Sequence, residues 1–313
     1  MGTPTPVTVG TFVRAESDRM LRDLQQQAGG VNVFGHHRRP TDIADQPVIR
    51  MNRDTLYSFA VVDLAEGAEL TLPDAGARYI SAMVVNQDHL INEVHHTPGS
   101  HPITQERTGS RYALVAVRIL VDPDDQADVA TVHTLQDGIG ITAGSAQPFE
   151  MADYDTASLD EIRVALLTLM KHMPSTAGAF GSHAEVDPVR HLIGTAAGWG
   201  GLPTSEAVYV NIASGLPVGR YTVRVPEVPV DGFWSLSVYN GRGFFEPNAL
   251  QSYSVNSVTA VRDDDGAVTV HLGDWGPDVP NVIPLPDGWN CIARLYRPRP
   301  EVVDGSWTFP APS

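Results

Sequence analysis

Four polar residues that could bind a substrate or move a proton stand within six positions of one another: Asn52, Arg53, Asp54 and Tyr57. An apolar run of strand character, residues 59–64, follows directly. A guanidinium can hold a carboxylate through two parallel hydrogen bonds, and a carboxylate can accept a proton from a reacting group. We therefore predict that Arg53 binds an anionic group of the substrate and that Asp54 is a catalytic acid or base. Asn52 and Tyr57 are predicted to position the substrate through hydrogen bonds.

The pair Asp88-His89 offers a histidine that could work together with Asp54. An imidazole changes its charge near neutral pH, and a carboxylate beside it can fix its tautomer. We predict His89 as a second catalytic acid or base and Asp88 as a substrate-binding residue. Three more residues complete the predicted substrate-binding set: His37, His133 and Tyr239. A purely structural interpretation, in which these polar side chains join neighbouring loops of a β scaffold, stays open at this point.

The histidines also suggest a metal-dependent enzyme as an alternative. Six of them fall in the first half of the chain near two acidic residues: His36, His37, His89, His95, His96 and His101, with Asp88 and Glu93. Imidazole and carboxylate groups ligate zinc, iron and manganese. The spacings HExxH and CxxC are absent, and neighbours such as His95 and His96 would face opposite sides of a strand. We predict no metal and no cofactor, and we keep the metal-dependent enzyme as the third hypothesis.

Two further kinds of site receive little support from the sequence. The Gly-x-Ser-x-Gly turn of many serine hydrolases does not occur, although a triad can be assembled from distant residues. The segment Gly198-Trp199-Gly200-Gly201 lacks the lysine and hydroxyl residue that end a phosphate-binding loop, so we predict a tight bend there. The single cysteine, Cys291, lies in an apolar strand-like run and is predicted to be a core residue.

The balance of charge argues against several kinds of partner. The 313-residue chain has a formal net charge of -16, whereas nucleic acids and anionic membranes are bound through Lys and Arg. We therefore predict a small-molecule ligand, no nucleic acid and no membrane. The N-terminus lacks the basic and apolar segments of an export signal, so we expect a cytoplasmic protein. A homo-oligomer is compatible with the sequence, which does not decide the oligomeric state.

Hydrophobic periodicity predicts where the helices and strands lie. It indicates a helix over residues 11–27 ended by Gly29-Gly30, β-structure from Val48 to about Val121, helices over 125–138 and 159–173, and β-structure again from Val208. Short strands separated by Gly, Pro and Asp turns are typical of sandwiches and jelly rolls. The predicted fold class is mainly β, with two jelly-roll-like or antiparallel β-sandwich domains, an N-terminal helix and a central helical region. We place the N-terminal domain at residues 1–150, the helical and glycine-rich connection at 151–205, and the C-terminal domain at 206–313.

The last third of the chain contains four strand-like runs, at 221–225, 233–239, 268–272 and 291–296. We expect these four runs to pair into one antiparallel sheet. The period of two in the second run gives it a tryptophan face, predicted to be core, and a serine–tyrosine face polar enough to line a cleft.

Long motifs in both halves of the chain resemble a known family. The first half contains Asn52-Arg53-Asp54-Thr55-Leu56-Tyr57-Ser58, Leu72-Pro73-Asp74-x-Gly76-x-Arg78-Tyr79 and Asn86-x-Asp88-His89. The second half contains Val230-Asp231-Gly232-Phe233-Trp234-Ser235-Leu236-Ser237-Val238-Tyr239-Asn240, Gly243-Phe244-Phe245-x-Pro247-Asn248, and Arg294-Leu295-Tyr296-x-Pro298-x-Pro300-Glu301-Val302-x-Asp304-Gly305-Ser306-Trp307. On these motifs the chain resembles a pair of bacterial domains of unknown function, numbered 1254 and 1214. The resemblance implies two β-rich, jelly-roll-like domains with a helical portion, and it assigns no catalytic residue.

The residues and the resemblance together predict a small-molecule enzyme of hydrolase or lyase type, with its site at the junction of the two β domains. The alternative is a non-catalytic ligand-binding or accessory protein that uses the same cleft, because β-sandwich folds serve both purposes. A deep pocket with a perturbed acid–base pair would favour the enzyme. A shallow groove lined by aromatic side chains would favour the binding protein.

Overall fold

The computed structural model describes residues 3–40, 42–46, 49–276 and 278–313. Contacts divide the chain into two compact units. The first comprises Met1–Arg38, Leu56–Leu120 and Gln126–Thr204, and the second comprises Arg39–Thr55, Val121–Asp125 and Ser205–Ser313. The polar stretch around residues 52–57 is therefore divided between the two units. Val48, where the sequence predicts the first β region to begin, lies outside the described residues.

The first unit contains eight strands and five helices in its described part. In chain order they are α1 (Phe12–Ala28), β1 (Gly35–His36), β2 (Thr55–Asp63), β3 (Ala68–Leu72), β4 (Ile80–Asn86), β5 (Ile91–His95), β6 (Gly99–Ile103), α2 (Gln105–Thr108), β7 (Tyr112–Leu120), α3 (Gln126–Asp137), β8 (Gly140–Ala143), α4 (Thr156–Met170) and α5 (Pro188–Gly198). Five strands form one sheet in the order β1-β2-β7-β4-β5, and three form another in the order β6-β3-β8. In both sheets, the neighbouring strands whose residue pairing is described run antiparallel.

The central strands of the larger sheet, β2, β7 and β4, are buried along almost their whole length. Strands that are covered on both faces need apolar side chains at nearly every position, so their sequences read as continuous apolar runs. Such runs are easy to recognise, and β4 and β7 lie within the β-structure that the sequence predicts from Val48 to about Val121.

Three helices of the first unit, α1, α4 and α5, pack around one apolar cluster. Phe12 and Ala15 of α1 share this cluster with Leu166 of α4 and Ile193 of α5. Helix α1 ends at Gly29, whose φ of 87° is the left-handed conformation that glycine adopts without a steric penalty. Within the described residues, no helix combines the length and the apolar character needed to cross a membrane.

The second unit contains seven strands and one short helix in its described part. They are β9 (Ala207–Ser214), β10 (Tyr221–Val225), β11 (Trp234–Tyr239), β12 (Ser254–Asn256), β13 (Val268–Leu272), β14 (Val282–Ile283), β15 (Asn290–Tyr296) and α6 (Pro300–Val303). The strands form two sheets, in the orders β10-β13-β14 and β12-β11-β15-β9. Val223 and Val270 from the first sheet share an apolar core with Leu236 and Ala293 from the second. The two sheets therefore pack face to face, as in a β-sandwich.

The mainly-β fold class, the N-terminal helix and the central helical region are confirmed. The jelly-roll-like strand order and the three-part division into domains stay predictions. One prediction is wrong: the four C-terminal runs do not form one sheet but divide between the two sheets of the sandwich, because each apolar face needs an opposite one to bury it. Leu169 of α4 is 51% exposed, because this helix packs through other residues, such as Leu166.

The glycine-rich segment after α5 makes a close-packed bend, as predicted. Gly200 has a φ of 78°, in the left-handed region. A Cβ atom added at Gly201 would lie 2.4 Å from the ring of Phe180, a distance that no real Cβ contact allows. A Cβ atom added at Gly198 would lie 3.5 Å from the same ring, which is an ordinary contact.

We expect Gly201→Ala to destabilise the protein by about 1–3 kcal/mol, because the added methyl group forces the Phe180 ring out of its packed position. The measurement is urea unfolding at 25 °C. The matched control is Gly198→Ala at the end of α5, where alanine fits and favours the helix by up to about 1 kcal/mol. Equal losses in both variants would contradict the described packing of the bend.

Candidate functional site

The buried polar residues of the second unit lie on one face of its four-stranded sheet. Every second residue of β11 faces the apolar core. The residues between them, Ser235, Ser237 and Tyr239, face the other side of the sheet. Ser235 stands opposite Arg294 on β15 and opposite Asn256 on β12, so these side chains share a face. We call these five residues the polar layer. The serine–tyrosine face predicted from the sequence is thus present, and it is buried.

Arg294 places a guanidinium at the centre of the polar layer, and the residue is only 4% exposed. Its Nη1 donates a hydrogen bond to Ser237 Oγ at 3.0 Å. Its Nη2 donates to the Tyr239 hydroxyl at 2.7 Å and to the carbonyl oxygen of Arg50 at 2.9 Å. The charge is therefore held by three neutral oxygens, two from β11 and one from a distant segment.

Asp54 lies beside the polar layer and is 1% exposed. The side-chain amide of Asn256 donates to its Oδ1 at 3.5 Å, and its Oδ2 has no hydrogen-bond partner in the described part of the chain. Burial raises the pKa of Asp54, while Ser235 and Arg294 oppose that rise. Burial lowers the pKa of Arg294, but Tyr239 and other neighbours, including Asp54, outweigh it and hold this pKa above its ordinary value. A carboxyl group with a raised pKa suits a proton donor.

The segment before β2 closes over the polar layer. The carbonyl oxygen of Met51 accepts a hydrogen bond from the Tyr239 hydroxyl at 2.7 Å. Asn52 uses both ends of its amide: Oδ1 accepts from the backbone N–H of Asp54 at 2.7 Å, and Nδ2 donates to the Tyr296 hydroxyl at 2.9 Å. Asn52, predicted to bind substrate, therefore has a visible structural task, and its substrate-binding role stays a prediction.

Arg53 points to a different environment from that of Asp54. Its guanidinium lies over the ring of Tyr253, 5.5 Å from the centroid, and its Nη2 is 3.9 Å from the Asp124 carboxylate. A cation over an aromatic face is attracted by the ring quadrupole, so this arrangement holds the side chain in place. The predicted contact of Arg53 with a substrate anion stays a prediction.

A shallow pocket of about 360 Å³ opens in the second unit, at the end of β11. Two segments line it, with these residues: Ile43, Ala44, Gln46, Asn240, Arg242, Phe244, Phe245, Glu246 and Pro247. Phe245 also packs on Tyr239 of the polar layer, with ring centroids 4.6 Å apart. None of the residues predicted from the sequence to bind substrate lines this pocket.

His89 belongs to the first unit and is completely buried. Its ring is stacked on those of His191 and Trp199, with centroids 5.4 and 5.1 Å away. Its Nδ1 lies 2.8 Å from the Thr195 hydroxyl, and its Nε2 accepts a hydrogen bond from the backbone N–H of Gly200 at 2.8 Å. Because Thr195 donates its own proton to the carbonyl of His191, His89 must donate from Nδ1 and is held as the neutral tautomer.

Burial lowers the pKa of His89 well below its ordinary value, and the neighbouring His191 adds to this shift. Both ring nitrogens are engaged and the ring is enclosed, which is typical of a structural histidine. Its catalytic role stays a prediction, and its predicted partner Asp54 belongs to the other unit. Asp88, which directly precedes His89, accepts a hydrogen bond from Arg14 Nε at 3.0 Å.

The other predicted residues of the first unit each have a partner of their own. The ring of Tyr57 lies under the guanidinium of Arg118, 5.4 Å from its centroid. His37 stands edge-on to the ring of Phe59, and burial lowers the pKa of this histidine. His133 Nε2 lies 2.6 Å from the carbonyl oxygen of Arg38. His37 and Tyr57 are nevertheless neighbours, because the backbone N–H of His37 donates to the carbonyl oxygen of Tyr57 at 2.8 Å. The substrate-binding roles of Tyr57, His37 and His133 stay predictions.

Three of the candidate metal ligands, Glu93, His95 and His101, come together at β5 of the first unit. Glu93 and His95 share one face of this strand, with Oε2 and Nε2 3.2 Å apart, and Arg107 Nη2 lies 2.7 Å from the same carboxylate. The ring of His101 is stacked on that of His95, with centroids 4.5 Å apart. Burial lowers the pKa of His95 to about 4, and the charges of His101 and Arg107 contribute. Burial also raises the pKa of Glu93, against the opposing effect of Arg107.

These histidines do not converge on a metal. Stacked imidazoles direct their lone pairs along nearly parallel planes, so His95 and His101 cannot both point at one ion. His96, which follows the last residue of β5, places Nδ1 2.8 Å from the carbonyl oxygen of Ile80. Among the described residues, no group of three His, Cys, Asp or Glu side chains has the arrangement of a metal site. The metal-dependent hypothesis therefore has no support in this part of the chain.

Both halves of the chain match models of protein families. Residues 31–100 match the family described as "Protein of unknown function (DUF1254)", and residues 216–300 match "Protein of unknown function (DUF1214)". The chain therefore contains one region of each family, DUF1254 and DUF1214. The resemblance seen in its sequence motifs is thereby confirmed. The comparison with curated proteins found no match.

Two solved structures are similar to this chain. The VPA0106 protein from Vibrio parahaemolyticus is 17% identical, with a TM-score of 0.72, and the match covers 97% of each chain. An uncharacterized protein from Burkholderia cenocepacia is 16% identical, with a TM-score of 0.53, over 97% of this chain and 87% of the other. At such identities the similarity shows the fold alone.

Sequence reasoning missed Arg294, Arg242 and Glu246. A signal for Arg294 was present, because it is the one charged residue in the apolar run 291–296. A charge inside a strand that is otherwise core must find partners, and this could have marked it. No comparable signal marks Arg242 and Glu246, which lie in a turn and become neighbours of residues 43–46 through the fold alone.

We expect Arg294→Lys to destabilise the protein by about 2–4 kcal/mol. The two terminal nitrogens of the guanidinium donate hydrogen bonds in fixed directions, and an ammonium group cannot reproduce them. Chemical unfolding measures the loss. Arg299→Lys is the matched control, since Arg299 is half exposed in a surface pair with Asp231, where the exchange should change stability by no more than about 0.5 kcal/mol. Similar values for the two variants would remove Arg294 from the centre of the network.

The shifted pKa of His95, about 4 in the folded chain against 6.5 for an ordinary histidine, predicts an acid-dependent loss of stability. Below pH 6.5 the unfolded chain takes up a proton that the folded chain refuses, so stability present above pH 6.5 is lost as the pH falls toward 4. We expect His95→Gln to reduce the slope of unfolding free energy against pH in this window by up to about 1.4 kcal/mol per pH unit. The control is Val164→Gln, which introduces the same amide at an exposed position, removes no titratable group and should leave the slope unchanged. A His95→Gln slope equal to that of the wild type would refute the assignment.

Proposed function

We propose that the chain binds a small organic molecule in the pocket of the second unit and does not transform it. The observation that carries the proposal is the pocket itself, whose volume of about 360 Å³ lies within the roughly 300–1,000 Å³ of ligand sites. Its lining combines apolar surface from Ile43, Phe244 and Pro247 with a few polar groups, the composition that orients a small ligand.

The walls of the pocket are held in place by hydrogen bonds between segments far apart in sequence. Gln46 Nε2 donates to the carbonyl oxygen of Phe245 at 2.9 Å, and Gln46 Oε1 accepts from the backbone N–H of the same residue at 2.9 Å. Asn240 Oδ1 accepts from the backbone N–H groups of Arg242 and Phe244 at 3.0 and 3.1 Å. A pocket whose walls are fixed before binding loses less conformational entropy when the ligand enters.

Binding is favoured over reaction by the chemistry of the lining. The pocket presents a guanidinium and a carboxylate but no histidine, the side chain that most often transfers protons near neutral pH. Asp54, the acid or base candidate of the second unit, is buried and does not line it. A shallow pocket with aromatic walls is the arrangement expected of a binding protein.

The hydrolase or lyase predicted from the sequence is the second candidate, and one observation favours it. Asp54 has a raised pKa and an oxygen, Oδ2, without a hydrogen-bond partner in the described part of the chain. Such a carboxyl group could protonate a leaving group if a substrate reached it. Turnover of any ligand by the wild type, and its loss in Asp54→Asn with binding retained, would favour this candidate over the first.

The expectations on partner, location and oligomeric state belong to the same proposal. They are a small-molecule partner in place of nucleic acid or membrane, a location in the cytoplasm, and a chain that can form a homo-oligomer. The net charge of -16 supports the exclusion of nucleic acid and anionic lipid.

Blocking the pocket provides the test. Co-purified small molecules are identified by mass spectrometry, and the hits are titrated calorimetrically against the wild type and Ala44→Trp. Because a Trp side chain at position 44 fills part of the pocket, we expect the Kd of the ligand for Ala44→Trp to be at least tenfold higher than for the wild type. Ala249→Trp, at an exposed position outside the lining, is the control and should bind as the wild type does. Unchanged binding in Ala44→Trp would place the ligand elsewhere.

A further inference from the structure

Two opposite charges line the pocket without pairing with each other. Arg242 and Glu246 both contribute to the lining, and no ion pair joins them in the described part of the chain. Both residues belong to the segment between β11 and β12, and both line the same pocket, so they can meet two different groups of one ligand.

The guanidinium of Arg242 is available for a ligand. Within the described residues its nitrogens make no hydrogen bond and no ion pair, whereas its backbone N–H is fixed by Asn240 Oδ1 at 3.0 Å. The base of the side chain is therefore anchored while its charged end is free. A guanidinium offers two parallel N–H groups that match the two oxygens of a carboxylate.

Glu246 presents the complementary charge, and it is partly oriented. One of its oxygens, Oε2, accepts a hydrogen bond from Asn240 Nδ2 at 3.1 Å. A carboxylate has about four acceptor sites, so most of its capacity stays available for the N–H groups of an ammonium ion. Asn240 thus fixes the backbone of Arg242 and the carboxylate of Glu246 with one buried side chain.

The charge of the whole chain helps to decide what such a pocket can take. A formal net charge of -16 repels a small anion and attracts a small cation, but it leaves a zwitterion without net charge unaffected at long range. In the pocket, a lone anion would meet Glu246 and a lone cation would meet Arg242. A molecule that carries both charges satisfies both groups.

We infer that the pocket binds a small zwitterion of the α-amino acid class, with its carboxylate on Arg242, its ammonium group on Glu246 and an apolar side chain against Phe244. The inference rests on the proposed binding function of the same pocket. The apolar side chain follows from the lining, where Phe244 is half-buried and Ile43 and Pro247 add further apolar surface.

Three probes separate the two charges. L-leucine carries both, N-acetyl-L-leucine lacks the ammonium group, and L-leucinamide lacks the carboxylate. By calorimetric titration of the full chain we expect L-leucine to bind, and each of the other two to bind at least tenfold more weakly. Equal binding of all three would overturn the inference.

Two variants assign the charges to residues. In Arg242→Gln the preference for L-leucine over L-leucinamide should disappear, and in Glu246→Gln the preference for L-leucine over N-acetyl-L-leucine should disappear. Arg224→Gln removes an exposed charge outside the lining and should keep both preferences. Unfolding midpoints equal to that of the wild type show that each variant is folded. Retention of both preferences in Arg242→Gln and Glu246→Gln would overturn the assignment.

The outcomes also separate this inference from the proposed function. If other molecules bind in a manner that Ala44→Trp abolishes while none of the three probes binds, the zwitterion class is wrong and the binding pocket stands. If no molecule binds in a manner that depends on Ala44, both are wrong.

Discussion

The second unit depends on the burial of one guanidinium. Arg294 stands in a strand whose neighbours Ala293 and Leu295 belong to the core, and its charge is tolerable there only because hydrogen bonds replace its lost hydration. Those bonds come from β11 and from the segment before β2, which lies more than two hundred positions earlier in the chain. A single buried charge therefore joins the beginning of the DUF1254 region to the end of the DUF1214 region.

This demand explains the task of Asn52 and of the backbone just before it. The segment that covers the polar layer must offer carbonyl oxygens inward, as Arg50 and Met51 do, and it must satisfy its own N–H groups, which Asn52 does for Asp54. Without such acceptors the buried guanidinium would lose its hydrogen-bond partners. Asn52 is thereby accounted for as part of the cover of a buried charge, whereas the roles predicted for Arg53, Asp54 and Tyr57 stay predictions.

The first unit uses a histidine in a similar way. His89 is stacked on aromatic rings and gives each nitrogen one partner, so an imidazole that could carry protons serves as a neutral bridge between β4, α5 and the glycine bend. The residues that remain free to meet a ligand lie elsewhere, at a turn of the second unit. Arg242 and Glu246 there are not buried in a network, and this is what makes them available.

The sequence by itself determined the elements whose signals are local. Helix α1, with its glycine stop, and the apolar strands β4 and β7 follow from side-chain periodicity, and the family follows from motifs that are continuous in the chain. Only the tertiary structure decided which strands share a sheet, why Asp54 and His89 fall in different units, and which charged residues face a pocket. The reason is physical: periodicity records whether a residue faces the core, but hydrogen-bond partners and pocket walls come from segments far apart in sequence, and their meeting depends on packing that no local pattern encodes.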